Sequence, residues 1–398
     1  TPTYRTCPHA HTPTYRTCPH AHIPHVPHAH PPTLRTRPHT AHAHALHAHM
    51  HIPLSHHTPT RTDEENVSQH RVFFGGISGS AVADTAATGS MMIPSMKQQG
   101  YTAANATAIN TVSSVIGIII PPSIPLILYG IVTETSISRL FISGIVPGLL
   151  IGAALMVTTY ILANKQGGGV RQFRWDVLWK AFKDAWLALV LPVIVIGGII
   201  GGVFTATEAA VAALLYSLAI SLLVYREFKL SELMGMLIRT ARLTGMVMML
   251  LAFATVIAWF LTINMVPQTL VRQVQAITQE PFLLLLIVAA LLLLVGFVMD
   301  LTPAMVIMAP MLAPIVTSVG VDAAYFGVLM AFILGIGLLT PPVGTCLYVG
   351  CGVGKVSMES LVKAMLPYYA ALLVVLVLLI AFPSIVTWLP DLTAVRGN

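Results

Sequence analysis

Histidine is missing from residue 71 to the carboxyl terminus, although the chain holds sixteen histidines in all. Charge is scarce too: Asp, Glu, Lys and Arg make up 9% of residues, against 56% hydrophobic. A soluble domain is nearer a quarter charged, so an ordinary globular enzyme or nucleic-acid binder is excluded. Without an imidazole, a serine or cysteine nucleophile in this region has no histidine base. No glycine-rich loop ending in Gly-Lys-Ser/Thr is present to cradle ATP phosphates. The four cysteines are Cys7, Cys18, Cys346 and Cys351; neither the early nor the late pair implies a disulfide framework. The net charge of +6 is scattered and reads as a loop bias beside a membrane. Uphill work by such a chain must draw on an ion gradient or on another subunit.

What is present is long apolar sequence, and one passage that occurs twice. Residues 117–130 read GIIIPPSIPLILYG and residues 337–350 read GLLTPPVGTCLYVG. Pro121-Pro122 and Pro341-Pro342 lie 220 positions apart, as do Gly117 and Gly337. A double proline removes backbone donors and breaks a helix. Broken backbone at membrane depth is tolerated only where it lines a cavity or is buried in protein. Paired interrupted helices in matching positions point to the central binding site of a transporter. Upstream, Asp84 precedes Pro94 by ten residues and Asp300 precedes Pro310 by ten, with four more residues in the second copy before its Pro-Pro pair. This order predicts an internal duplication: an acid, a short helical hairpin, a Gly turn at Gly100 or Gly320, then a broken helix.

The predicted class is an all-α polytopic membrane protein with two repeats, each a re-entrant hairpin followed by a Pro-Pro broken helix. Residues 73–99 are too polar for a lipid-facing span and too apolar for a solvated loop, which fits a re-entrant hairpin. The first broken helix is expected over 102–131, a span over 140–163, and about two spans over 186–225. Further spans are expected at 244–265 and 281–299, a second hairpin at 300–318, the second broken helix at 322–350 and a last span at 364–389. Basic segments hold Lys165, Arg171, Arg174, Lys180 and Lys183, then Arg226, Lys229, Arg239 and Arg242. If both face the cytoplasm, six crossings separate the hairpins, and an even count makes the repeats parallel; an inverted pair needs an odd one.

Residues 1–70 form a second region, separate from 71–398. The eleven residues TPTYRTCPHAH recur unchanged at 12–22, and Pro, His, Thr and Ala dominate the rest. This low-complexity extension is expected to be disordered. Its Cys and His could hold zinc or copper by residue type, but an inert extension is the preferred reading. Upstream of Asp300 lie some 115 mostly apolar residues; upstream of Asp84 the histidine tract takes their place. The expectation is that an amino-terminal arm is missing and that the chain alone moves nothing.

Acids in membrane-embedded sequence are functional hypotheses by default. Asp84 and Asp300 each precede a predicted hairpin helix. Asp84 is expected to act as a helix cap; Asp300 is equally a cap or a cation ligand. Glu208 follows Gly197-Gly198 and Gly201-Gly202 and is expected to hold a buried hydrogen-bond network. Near the breaks lie Ser78, Gly79 and Ser80, then Asn110, Ser113, Ser114 and Gly117, then Thr340, Gly344 and Thr345. Freed carbonyls with hydroxyl and amide oxygens suit a hard cation such as sodium, and half-helix amino termini suit a carboxylate. Close helix packing is the alternative use of these small residues.

Four motifs in order, GGISGSAVAD, SSVIGIIIPPSIPLILYG, GGIIGGVFTATEAA and LTPPVGTCLYVG, resemble the large membrane subunit of the tripartite ATP-independent periplasmic (TRAP) transporters, over residues 71–392. The resemblance implies an elevator motion of two hairpin-bearing repeats, coupled to sodium, in a bacterial inner membrane. It implies a small membrane subunit and a periplasmic substrate-binding protein as partners, an organic anion such as a C4-dicarboxylate as cargo, and no cofactor or bound metal. Carried onto this chain, the cargo would meet Ser78, Gly79, Ser80, Pro121, Pro122, Thr302, Pro341 and Pro342. The cation would meet Ser113, Ser114, Gly117, Asp300, Gly337 and Thr340, with Asp84 and Glu208 as structural acids. Two departures stand out: Ala206 replaces the family's usual proline, and its amino-terminal spans are absent. A stand-alone ion-coupled anion carrier, or a non-functional product with a metal-binding tract, are the competing readings.

Overall fold

The computed structural model describes residues 79–165, 175–224, 230–265, 269, 272 and 280–394. The expectations for residues 1–70, for Ser78 and for the first arm of the early hairpin lie outside these residues. Among the described residues there are thirteen α-helices and no strand. In chain order they are α1 (Ala81–Gln98), α2 (Ala103–Ser113), α3 (Ile124–Thr133), α4 (Ile137–Lys165), α5 (Trp175–Ile200), α6 (Ala206–Ala219) and α7 (Leu230–Ile263). Then follow α8 (Pro281–Val298), α9 (Leu301–Thr317), α10 (Ala323–Leu338), α11 (Thr345–Gly354), α12 (Met358–Ala381) and α13 (Ser384–Ala394). Among the described residues, five helical stretches are long and apolar enough to cross a membrane: Ile137–Leu162, Ala206–Val224, Leu233–Ile257, Pro281–Val298 and Met358–Ala381. Of the two spans expected over 186–225 only the second is among them; the first contributes a shorter apolar stretch, Val190–Ile199.

Both broken helices form where the proline pairs predict. α2 tightens into a 3-10 turn at Ser114–Ile118, the chain breaks at Pro121-Pro122, and α3 resumes at Ile124. α10 ends at Leu338, the chain breaks at Pro341-Pro342, and α11 resumes at Thr345. Both Pro-Pro bonds are cis. The sharp turns before α2 and α10 use Gly100 and Gly320 at φ +98° and +85°, backbone that only glycine adopts at little cost. The resumed helices end alike, with Glu134 and Lys355 left-handed at φ 58° and 54°.

The register between the two segments differs from the one the acids suggested. Ser80 is the N-cap of α1 and Asp300 the N-cap of α9. Ser80, not Asp84, therefore matches Asp300, at the same 220-residue spacing as the proline pairs, and Pro94 matches Pro314. The four-residue insertion vanishes. Asp84 is buried in the first turn of α1, whose N-cap is Ser80. The segment 300–318, expected as a hairpin, is the single helix α9, joined to α8 through Met299-Asp300.

The core gathers around α10, buried from Ala324 to Leu338. α8 lies against α10 closely enough that a Cβ on Gly337 would stand 2.7 Å from the Gly296 backbone. The short helices exchange partners between segments: α1 packs on α11, and α9 packs on α3. Lys97, at the end of α1, donates to the Gly354 carbonyl at the end of α11 at 2.8 Å. By contrast α6 and α7 bury 6% and none of their apolar windows within the chain, which leaves their side chains to lipid or to other protein.

Candidate functional site

The two breaks are held by the helix starts that precede them. At Gly79 (φ +60°) an added Cβ would stand 2.8 Å from the Pro122 carbonyl and 3.2 Å from the Ile124 nitrogen. The start of α1 is thus pressed onto the start of α3. In the second segment the Val343 amide donates to the Phe297 carbonyl at 3.3 Å, which ties the break to the end of α8. Thr345, the first residue of α11, donates its hydroxyl to Asp300 Oδ1 at 3.1 Å. Asp300 makes no side-chain cap bond to its own helix; its carboxylate is turned across to α11.

Cys346 joins the two segments. It is fully buried at the start of α11, and its thiol lies beside Thr85 on α1 and Ser114 at the 3-10 turn, on the side of Asp300 and Asp84. The amino termini of α1, α3, α9 and α11 are therefore linked around the two breaks. Helix amino termini carry unpaired N–H groups and partial positive charge, so this grouping favours an anion.

Beneath it lies a buried polar layer. Asn110, with no exposed surface, donates from Nδ2 to the Thr85 carbonyl at 3.0 Å and accepts from the Thr88 hydroxyl at 3.2 Å. Gly89 makes room for it: a Cβ there would stand 2.6 Å from Asn110 Nδ2. Thr111 Oγ1 is buried without a hydrogen-bond partner and faces Gly350, where a Cβ would stand 2.5 Å away. Ser113 and Ser114 donate to carbonyls of their own helix, Ile109 at 2.6 Å and Thr111 at 2.7 Å. Hydroxyls, an amide and two nearby carboxylates make an oxygen-rich environment.

The remaining sequence-selected residues fall as follows. Pro121 is buried and Pro122 half-buried, whereas Pro341 and Pro342 are exposed. Thr302 is half-buried in the first turn of α9, and Gly117 is buried in the 3-10 turn. Thr340 donates to the Ile336 carbonyl and Gly337 meets Gly296. Glu208 is exposed and forms a capping box with Thr205 at the start of α6. The buried network expected for it is absent, because its carboxylate accepts from the Thr205 amide at 2.8 Å and hydroxyl at 2.9 Å. Thr85, Thr88 and Thr111 were not singled out in the sequence. The signal was there: Thr107, Asn110, Thr111 and Ser114 recur at one-turn spacing through an apolar run, the pattern of one helix face.

Residues 70–385 match the family model described as "Tripartite ATP-independent periplasmic transporter, DctM component". A putative TRAP transporter large permease protein of Haemophilus influenzae is 42% identical over 316 residues, covering 79% of each chain. The C4-dicarboxylate TRAP transporter large permease protein of Pseudomonas aeruginosa is 38% identical over 322 residues, 80% of this chain and 75% of that one. An isethionate TRAP transporter permease protein of Oleidesulfovibrio alaskensis is 41% identical over 316 residues, 79% of this chain and 50% of that one.

Proposed function

The chain belongs to the DctM-component family of tripartite ATP-independent periplasmic transporters, and from that premise we propose that it is the subunit that moves an organic anion across the bacterial inner membrane in symport with sodium. A periplasmic binding protein delivers the cargo and a small membrane subunit completes the assembly. The observation that carries this reading is the grouping of four helix amino termini around two Pro-Pro breaks, with Asp300 at the rim and Asp84 and buried hydroxyls beneath. The helix ends suit the anion, the oxygens suit a hard cation, and the cation's charge offsets that of the cargo. The same order of caps and breaks at a 220-residue spacing, followed in each segment by a left-handed helix end, supports two repeats from one duplication, with α1 and the pair α8–α9 as re-entrant arms. The cargo is a small organic anion, with a C4-dicarboxylate as the leading candidate; relatives named for a dicarboxylate and for isethionate support the class.

The test uses the full chain in lipid nanodiscs. Sodium chloride is expected to raise the unfolding midpoint, while potassium or choline chloride at equal ionic strength leaves it unchanged. At a hundred times its dissociation constant a bound ion adds about 2.7 kcal/mol. Succinate is expected to stabilise further only when sodium is present. Equal midpoints in the three salts would remove the coupling ion, and succinate stabilisation that ignores sodium would uncouple cargo from cation.

A further inference from the structure

A cavity of about 280 Å³ lies apart from the breaks, between the start of α2, the end of α4 and the first half of α12. Its wall has two chemistries. Tyr101, Asn105, Thr159, Tyr368 and Lys363 supply hydroxyls, an amide and a cation; Ile109, Leu162, Ala364 and Pro367 supply an apolar side. Tyr368 is 3% exposed, and its hydroxyl reaches Thr159 Oγ1 at 3.4 Å across the cavity wall. The space equals roughly nine water molecules at ~30 Å³ each, enough for a phosphate headgroup but not for acyl chains. Outside it, Tyr160, Ile161 and Leu366 are exposed and continue an apolar surface along α4 and α12.

Depth and charge narrow the occupant. The apolar span of α4 ends at Leu162 and that of α12 begins at Met358, so Leu162 and Lys363 stand at the membrane–water boundary, where tyrosines also concentrate. The chain beyond α4 continues through Arg171, Arg174, Lys180 and Lys183, and such basic flanks mark the cytoplasmic leaflet. Lys363 is paired with Glu359 at 2.7 Å, but both side chains are largely exposed. A surface pair of this kind contributes little, so the ammonium can turn from Glu359 to an anion seated in the cavity. We propose that this cavity seats the headgroup of an anionic phospholipid of the cytoplasmic leaflet, with Lys363 on the phosphate and the acyl chains lying along α4 and α12.

The test compares lipid retention by the delipidated full chain after exposure to phosphatidylglycerol or phosphatidylcholine, read by native mass spectrometry. Phosphatidylglycerol is expected to be retained about fivefold better, the preference one lysine near the surface supplies. Lys363→Ala should abolish the preference, and Ala364→Trp, which fills the cavity, should abolish tight retention of either lipid. Because Lys363 is exposed, its variant keeps the test decisive should Ala364→Trp fail to fold. Equal retention of both lipids by the unaltered chain would overturn the proposal. So would loss of bound phosphatidylglycerol to millimolar inorganic phosphate, which would assign the cavity to a free anion, or full retention by a folded Ala364→Trp.

Discussion

At positions 220 residues apart, the buried surface of α2 carries Asn110, Thr111, Ser113 and Ser114, and that of α10 carries Met330, Ala331, Ile333 and Leu334. The same substitution of chemistry runs through the preceding helices, where Thr85 and Thr88 on α1 correspond to Met305 and Met308 on α9. The backbones nevertheless share their Gly turns, cis Pro-Pro breaks and left-handed ends. Prolines, glycines and caps set the path of the chain, and the interior side chains are free to diverge around it. In the first segment they supply hydrogen-bonding capacity; in the second they supply dry packing, with polar groups kept to the rim at Asp300, Thr302, Thr340 and Thr345.

The comparison breaks if equivalent substitutions in the two segments cost the same. Asn110→Leu removes the donor to the Thr85 carbonyl and the acceptor of the Thr88 hydroxyl. The Thr88 hydroxyl keeps the Asp84 carbonyl, so the expected cost is that of the lost bonds and of the Thr85 carbonyl's lost partner, about 2 kcal/mol. At the matching position Met330→Leu conserves volume, and should cost less than about 1.5 kcal/mol. Denaturant unfolding of both variants in nanodiscs measures the difference; equal losses would erase the distinction.

Crowding should harm the second segment where lost hydrogen bonds harm the first. Gly337→Ala places a methyl 2.7 Å from the Gly296 backbone, and backbone cannot turn aside as a flexible side chain can. The expected cost is about 2 kcal/mol. Gly296→Ala, whose Cβ would stand 3.2 Å from the Gly337 Cα, should cost less in the same unfolding assay. The reverse order would show that α8 yields and α10 does not.

The smallest effect on stability is expected at the rim. Asp300→Asn keeps an oxygen for the Thr345 hydroxyl but removes the charge. Unfolding should shift by about 0.5 kcal/mol or less, while the sodium concentration for half-maximal stabilisation rises severalfold. Thr345→Val removes the hydrogen bond and keeps the charge. It should cost about 1.5 kcal/mol, the low end for a bond to an ionised group, with a smaller sodium shift. An unchanged sodium midpoint in Asp300→Asn would make this residue an anchor for α11 and nothing more.

The breaks were legible because proline acts locally: Pro121-Pro122 and Pro341-Pro342 stop a helix whatever surrounds them. The same holds for Gly100 and Gly320, whose positive φ is a property of one residue. The pairing of Asp84 with Asp300 failed for a different reason. Serine and aspartate are both common at helix N-caps, so Ser80 and Asp300 occupy the same position, Ser80 with its side chain on the Ala83 amide and Asp300 with its carboxylate on Thr345, while only the acid draws the eye. Glu208 likewise looked embedded among apolar neighbours, yet its capping box with Thr205 can form on any exposed helix start. Cys346 could not be placed from spacing at all. Thr85 and Ser114 are more than two hundred residues from it in sequence and reach it only through the packing of α1 on α11.

That exchange of partners has a consequence for how the chain is made. Lys97 and the Gly354 carbonyl it grips are 257 residues apart. At a synthesis rate of about 5–20 residues per second, α1 waits roughly 13–51 seconds before α11 leaves the ribosome. Throughout that interval Asp84 and Lys97 lack the wall that α11 later provides, in a setting where stranded polar groups are costly. The contacts that close the first segment are therefore complete only once the second has been made.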